Sequence, residues 1–168
     1  FENDSEMKEK YHILSPETLD GKRDQNSIIL TASCRFSVVK SKNCSQTSKG
    51  EITAQVTRLL DDGDSTPITP GDLFVVGCQE KVTKTSNISD TELRQSQGQQ
   101  YILASFHGDT DGLATIPVVR AVQKYMTTLE SDDLAADDGG VASPCSPLLV
   151  FGMDANTYKV HDEGKRQG

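Results

Sequence analysis

The sequence predicts a mixed α/β (α+β) domain, and three stretches carry that expectation. Tyr101–Phe106 and Leu148–Phe151 are apolar runs of strand length. Between them, Ile116, Val119, Val122, Met126 and Leu129 recur mostly three or four residues apart, which places one apolar face on a helix over Thr115–Leu129. Thr115 can cap this helix, and Pro117 is tolerated in its first turn. A helix so placed packs on the outside of the sheet and draws the Gly108–Gly112 loop over the end of the preceding strand.

The other elements follow in chain order. Phe1–Lys10 is a charged, frayed helix. Ile28–Thr31 and Phe36–Lys40 are strands joined by a turn. Ile52–Leu60 alternates enough for a strand, with a short helix as the alternative. Leu73–Gly77 is a further strand, and Thr85–Gln100 is a polar loop with a helical turn. The resulting organisation is a flexible segment 1–26, a domain over 27–158 and a tail 159–168. Two polar stretches rich in turn residues, 43–71 and 129–147, read as inserts between core elements. Such composition buries too little apolar surface to offset ordering entropy of roughly 1–2 kcal/mol per residue, so both are expected to be mobile and removable. No internal repeat is apparent.

Hydrophobic residues make up 35% of the 168 and Trp is absent, below the roughly 45–50% apolar usage of ordinary domains, a figure that also counts Gly. A net charge of -8 weighs against an extended polyanion-binding surface, because such affinity comes mainly from Lys and Arg. A groove can still be locally positive once a divalent cation is bound. The four cysteines, Cys34, Cys44, Cys78 and Cys145, show no CxxC spacing, which argues against zinc. Cys34 and Cys78 lie in apolar runs and read as small core residues. A reducing, intracellular compartment is the simpler reading. Asn43-Cys-Ser45 and Asn87-Ile-Ser89 are formal sequons, yet no apolar signal segment or membrane-spanning stretch is present.

Both key strands stop abruptly at polar residues. His107, Asp109 and Asp111 follow the first, and Asp154 and Asn156 follow the second. Sheets place reactive groups at strand termini, where packed strands fix the backbone and loops leave the side chains reachable. Asp109-Thr-Asp111-Gly112 is not a calcium loop. With the two aspartates at positions 3 and 5, position 12 is Val118 where a bidentate Glu is required. A tight turn, with Gly108 and Gly112 supplying unusual φ, is the expected role.

Phe106-His107-Gly108, together with Gly152-Met153-Asp154-Ala155-Asn156, resembles the middle of the endonuclease/exonuclease/phosphatase superfamily signature. There an apolar strand ends in a phosphate-contacting His, and a later one ends in Gly-Asp-x-Asn; here one residue is inserted before the aspartate. Ser27–Lys40 resembles the family's Arg-Phe hairpin. The likeness spans about Ser27 to Tyr158. It implies a deoxyribonuclease-I-like layered β-sandwich with outer helices, and a phosphoester hydrolase using Mg²⁺ or Mn²⁺. The implied roles are Asp154 orienting water, Asn156 holding phosphate or metal-bound water, and His107 stabilising the phosphoryl transition state. Asp154 and Asn156 are the implied metal ligands. The implied substrate is a phosphoester of nucleic acid, nucleotide or phosphoinositide type, and the acidic balance favours a small one over duplex DNA. The family's opening Asn strand, its metal-binding Glu and its closing Ser-Asp-His are not visible, so the domain is expected to be incomplete. Glu80 ends a Gln-Glu strand, but it follows the hairpin, whereas the family's Glu precedes it. His161-Asp162 reverses the closing order, and it and His12 read as exposed. A catalytically inactive member of the same fold, acting as a binding or scaffold module, is the competing expectation.

Overall fold

The structure is a computed structural model that describes residues 4–16, 26–39, 50–60, 68–82, 98–108, 112–135 and 146–154. In these residues the fold is mixed α/β, with three helices and two sheets. The order is α1 (Ser5–Lys10), β1 (Tyr11–Leu14), β2 (Ile29–Ala32), β3 (Phe36–Val38), α2 (Glu51–Arg58), β4 (Leu73–Glu80), β5 (Gln100–His107), α3 (Thr115–Ala135) and β6 (Leu148–Asp154). β1 and β2 form an antiparallel pair, and the larger sheet runs β3-β4-β5-β6. β4 is antiparallel to β3 and β5, and β6 is parallel to β5, with α3 in the connection between them.

Strand alternation divides the core in two. Leu73 and Val75 of β4, with Ile102, Ala104 and Phe106 of β5, face the helices and pack with Val56, Val118, Val122 and Tyr125. Phe74, Val76 and Cys78 face the other way, against Leu14 of β1 and Ile29 of β2. β4 is therefore apolar on both faces, as an interior strand must be. The β1–β2 pair forms a second β-layer, so the packing order is helices, sheet, strand pair.

Several elements differ from the sequence reading. The segment 1–26, expected to be flexible, contributes α1 and β1 to the described fold. Asp4 caps α1 by accepting the Glu6 and Met7 amides at 3.0 and 3.1 Å. The segment 43–71, expected as an insert, contributes α2, whose Val56 is fully buried in the core. Ile52, Val56 and Leu59 recur at helical rather than strand spacing. Thr53 fastens the helix to β4, its Oγ1 accepting the Val75 amide at 2.9 Å and donating to the Val75 carbonyl at 3.1 Å. α3 runs on to Ala135, into the start of 129–147. Its hydrogen bonding opens with Val118 N–H to the Ala114 carbonyl at 3.0 Å, so Thr115 is its first residue rather than its cap. β2 and β3 are joined by the Ser33–Arg35 turn yet do not pair with each other; the turn is a corner at which the chain passes from one sheet to the next. Among the described residues no helix is long and apolar enough to cross a membrane.

Gly71, in the turn that leads into β4, takes a left-handed conformation, φ 100°, and a methyl group there would sit 2.2 Å from Asn26 Oδ1. Gly71→Ala therefore combines backbone strain with a clash, and a loss of about 1–3 kcal/mol is expected in chemical denaturation. An unchanged midpoint would show that the turn relaxes freely.

Of the two described cysteines, Cys78 is buried as expected, but Cys34 is exposed in the corner turn. Burial pushes the Cys78 thiol up from its ordinary 9.0, partly countered by the neighbouring Thr31 side chain. Burial likewise raises the Tyr125 phenol above 10.0, helped by Glu51. With both folded values raised, the unfolded chain releases these protons first, so the contribution of these two groups is intact below pH 9.0 and is lost as pH rises beyond it. Denaturation midpoints should decline across that alkaline range. Alkylation followed by peptide mapping should modify Cys34 in the native protein and Cys78 only after unfolding.

Candidate functional site

The parallel pairing of β5 with β6 sets the geometry of the candidate site. Their register matches Tyr101 with Leu148 at one end and His107 with Asp154 at the other. The two residues thus end neighbouring strands at the same edge. Adjacent strands lie about 4.8 Å apart, and directly paired residues point to the same face. That face is the one opposite the helices, because Phe106 and Met153 take the helical side. The ladder closes just beyond, where Gly108 N–H donates to the Asp154 carbonyl at 2.8 Å. Gly108 is buried and does not take positive φ, since it continues the ladder rather than turning; Gly112, at φ 69°, does turn.

His107 is anchored through its backbone. Its N–H donates to the Asp72 carbonyl at 2.9 Å, and the same carbonyl accepts the Ser27 hydroxyl at 2.7 Å. Asp72 is itself buried, with Oδ2 accepting the Thr69 amide at 3.0 Å, which braces the turn into β4. The imidazole Nδ1 is buried without a hydrogen-bond partner among the described residues. A buried polar atom left unpaired costs roughly 1–3 kcal/mol and calls for an explanation, of which a ligand-binding role is one. The Asp154 side chain is exposed.

The structure brings His107 and Asp154 together. Asn156, Asp109, Asp111, His161 and Asp162 lie outside the described residues. Glu80 is excluded from this edge. β4 runs antiparallel to β5, so Leu73 pairs with Phe106 while Glu80 lies seven residues further on, at the opposite end of the sheet. At about 3.4 Å per residue that separation is roughly 24 Å. There Glu80 pairs with Arg35 at 3.0 Å, and the guanidinium also lies 5.7 Å from the Phe36 ring centre. His12 is half-buried rather than exposed and contacts the Phe36 carbonyl through Nε2 at 3.0 Å.

No protein-family model matches the chain. The curated proteins compared with it give no match either.

Sequence reasoning did not single out Ser27 and Asp72, whose bonds fix His107. The available signal was Pro70-Gly71-Asp72, a turn directly before an apolar run. An Mg²⁺-type ion takes hard oxygen ligands, often one or two carboxylates with the rest from water and substrate. Asp154, exposed at the strand end, fits that donor chemistry. Among the described residues no group of three or more His, Cys, Asp or Glu side chains gathers here or elsewhere to complete a cage.

Proposed function

We propose that this chain carries part of a divalent-metal-dependent phosphoester hydrolase of the endonuclease/exonuclease/phosphatase type, built on a deoxyribonuclease-I-like layered sandwich. The observation that supports this most is the His107–Asp154 register pair at the ends of two parallel strands, with His107 Nδ1 buried and without a hydrogen-bond partner among the described residues. The layering of helices, sheet and strand pair is compatible with such a sandwich. In this reading Asp154 orients the attacking water and accepts its proton, and His107 hydrogen-bonds the charge growing on the phosphoryl oxygens. Asn156 is the neutral partner that holds phosphate. An Mg²⁺ or Mn²⁺ ion held by Asp154 and Asn156 would polarise the phosphoryl oxygen. The substrate is a phosphoester of nucleotide, nucleic acid or phosphoinositide type.

The test is an NMR titration of the 168-residue chain, first with Mg²⁺ and then with inorganic phosphate, alongside hydrolysis of a chromogenic phosphodiester. Mg²⁺ should shift the Asp154 carboxyl signal and phosphate the His107 ring signals. Shifts without turnover would assign the chain to an inactive, ligand-binding member of the same fold. If neither addition moves either residue, the phosphoester reading is wrong.

A further inference from the structure

The strand ends that carry His107 and Asp154 are joined by a row of hydrogen bonds, and the row begins in the other layer of the molecule. Ser27, two residues before β2, is buried. Its hydroxyl donates to the Asp72 carbonyl at 2.7 Å, and its N–H donates to the Gly71 carbonyl at 2.8 Å. The Asp72 carbonyl also accepts the His107 N–H at 2.9 Å, and the next amide along, Gly108 N–H, donates to the Asp154 carbonyl at 2.8 Å. The segment leading into β2, the start of β4, the end of β5 and the end of β6 are thus linked in turn across one edge of the fold.

Asn26 adds a second grip, because its side chain lies directly against Gly71 in the space that a Cβ would fill. Asn26 Oδ1 and His107 Nδ1 are both buried without a hydrogen-bond partner among the described residues. A buried polar atom left unpaired lowers stability. This end of the sheet is therefore not arranged for stability alone. A carbonyl oxygen has two lone pairs. At Asp72 the ladder amide of His107 takes one and the Ser27 hydroxyl the other, so a side chain from the second layer completes what the sheet itself leaves half satisfied.

We propose that Ser27 is a positioning residue for the candidate site: its hydroxyl fixes the Asp72 carbonyl, through it the backbone of His107, and one amide further on the backbone of Asp154. The catalytic consequence rests on the phosphoester reading above, whereas the geometry does not. Without the hydroxyl the Asp72 carbonyl keeps its bond to His107, so the sheet still forms. The carbonyl then loses its tie to the second layer, and the strand end that it holds gains freedom. A displacement of about 1 Å at a reacting group can lower a rate by about 10²-fold. Loosening of this row therefore shows in the chemistry and in local opening before it shows in global stability.

Amide hydrogen exchange of the 168-residue chain and of its Ser27→Ala variant, followed by NMR, tests the proposal. The His107 and Gly108 amides should exchange at least about tenfold faster in the variant. The Glu80 and Lys81 amides, which close the opposite end of the sheet on the Gln99 and Arg35 carbonyls, should keep their parent rates. Ser27→Thr retains the hydroxyl and should hold His107 and Gly108 close to the parent. In Mg²⁺-dependent hydrolysis of a chromogenic phosphodiester, Ser27→Ala should lower kcat by about ten- to a hundredfold and leave KM within about twofold. A parent chain without turnover would count against the phosphoester reading, and the exchange comparison then decides on Ser27 by itself. Equal exchange of His107 and Gly108 in parent and Ser27→Ala, or an acceleration shared by every amide of the sheet, overturns the proposal.

Discussion

Val56→Asp is expected to unfold the chain or leave it with a small remnant of its stability. Val56 lies on α2, is fully buried, and packs in the core beneath the sheet with Val75 and the α3 residues Val118 and Val122. The described residues of that cluster are hydrophobic, so the new carboxylate would be buried among apolar side chains or held neutral at the expense of a large pKa rise. Leaving one charge uncompensated in a core typically costs 3–5 kcal/mol. Domains of this size are stable by only ~5–15 kcal/mol in total. The milder Val56→Ala should cost about 1–3 kcal/mol through the cavity it leaves. Circular dichroism during urea titration reads both effects. A Val56→Asp protein with the parent midpoint would return 43–71 to the status of a removable insert and remove α2 from the core.

That segment shows what composition conceals. Ile52, Val56, Leu59 and Leu60 are few apolar residues in a stretch dominated by Ser, Thr, Asp and Gly, so the average over 43–71 looks unfoldable. A short helix needs only one buried stripe, and tertiary contact with β4 supplies the stabilisation that its own propensity lacks. By contrast, β4, β5, β6 and α3 were legible because each is long or strongly apolar. Their placement was partly legible too. A strand, a helix and a second strand in series can pair in parallel through a crossover, which sets His107 and Asp154 at one edge. What the sequence concealed was which way β4 runs. Glu80 shares the local spelling of a Gln-Glu strand end, but the direction of a strand depends on pairing with residues far along the chain. Antiparallel pairing with β5 carries Glu80 away from His107. The corner at Ser33–Arg35 is hidden for the same reason: two strands and a short turn read as a hairpin until their partners are known.

His107→Ala and Asp154→Ala should each lower Mg²⁺-dependent phosphodiester hydrolysis by about 10²–10³-fold, with Glu80→Gln leaving it within about twofold. For His107 the magnitude is that of deleting one preorganised donor to a developing oxyanion, roughly 2.7–4 kcal/mol; for Asp154 it falls within the ~10²–10⁴-fold that a positioned general base contributes. For Glu80 it is that of an exposed ion pair remote from the reacting atoms, which contributes about 0–1 kcal/mol to stability and nothing to the transition state. Because paired catalytic groups act as a unit, the double variant should fall little below the poorer single one. The parent and its variants must melt alike for the comparison to count. That is a reasonable expectation for Asp154, whose side chain is exposed, and for Glu80, but His107→Ala also removes a partly buried ring. His107→Gln supplies the control: it retains a hydrogen-bond donor and should recover part of the loss, where a merely structural defect would not be repaired so selectively. The parent chain is expected to turn over slowly, since the described residues give the cation one carboxylate at Asp154 and no group of three ligands. Activity abolished by Glu80→Gln but indifferent to Asp154→Ala would move the site to the other end of the sheet and end the reading advanced for His107.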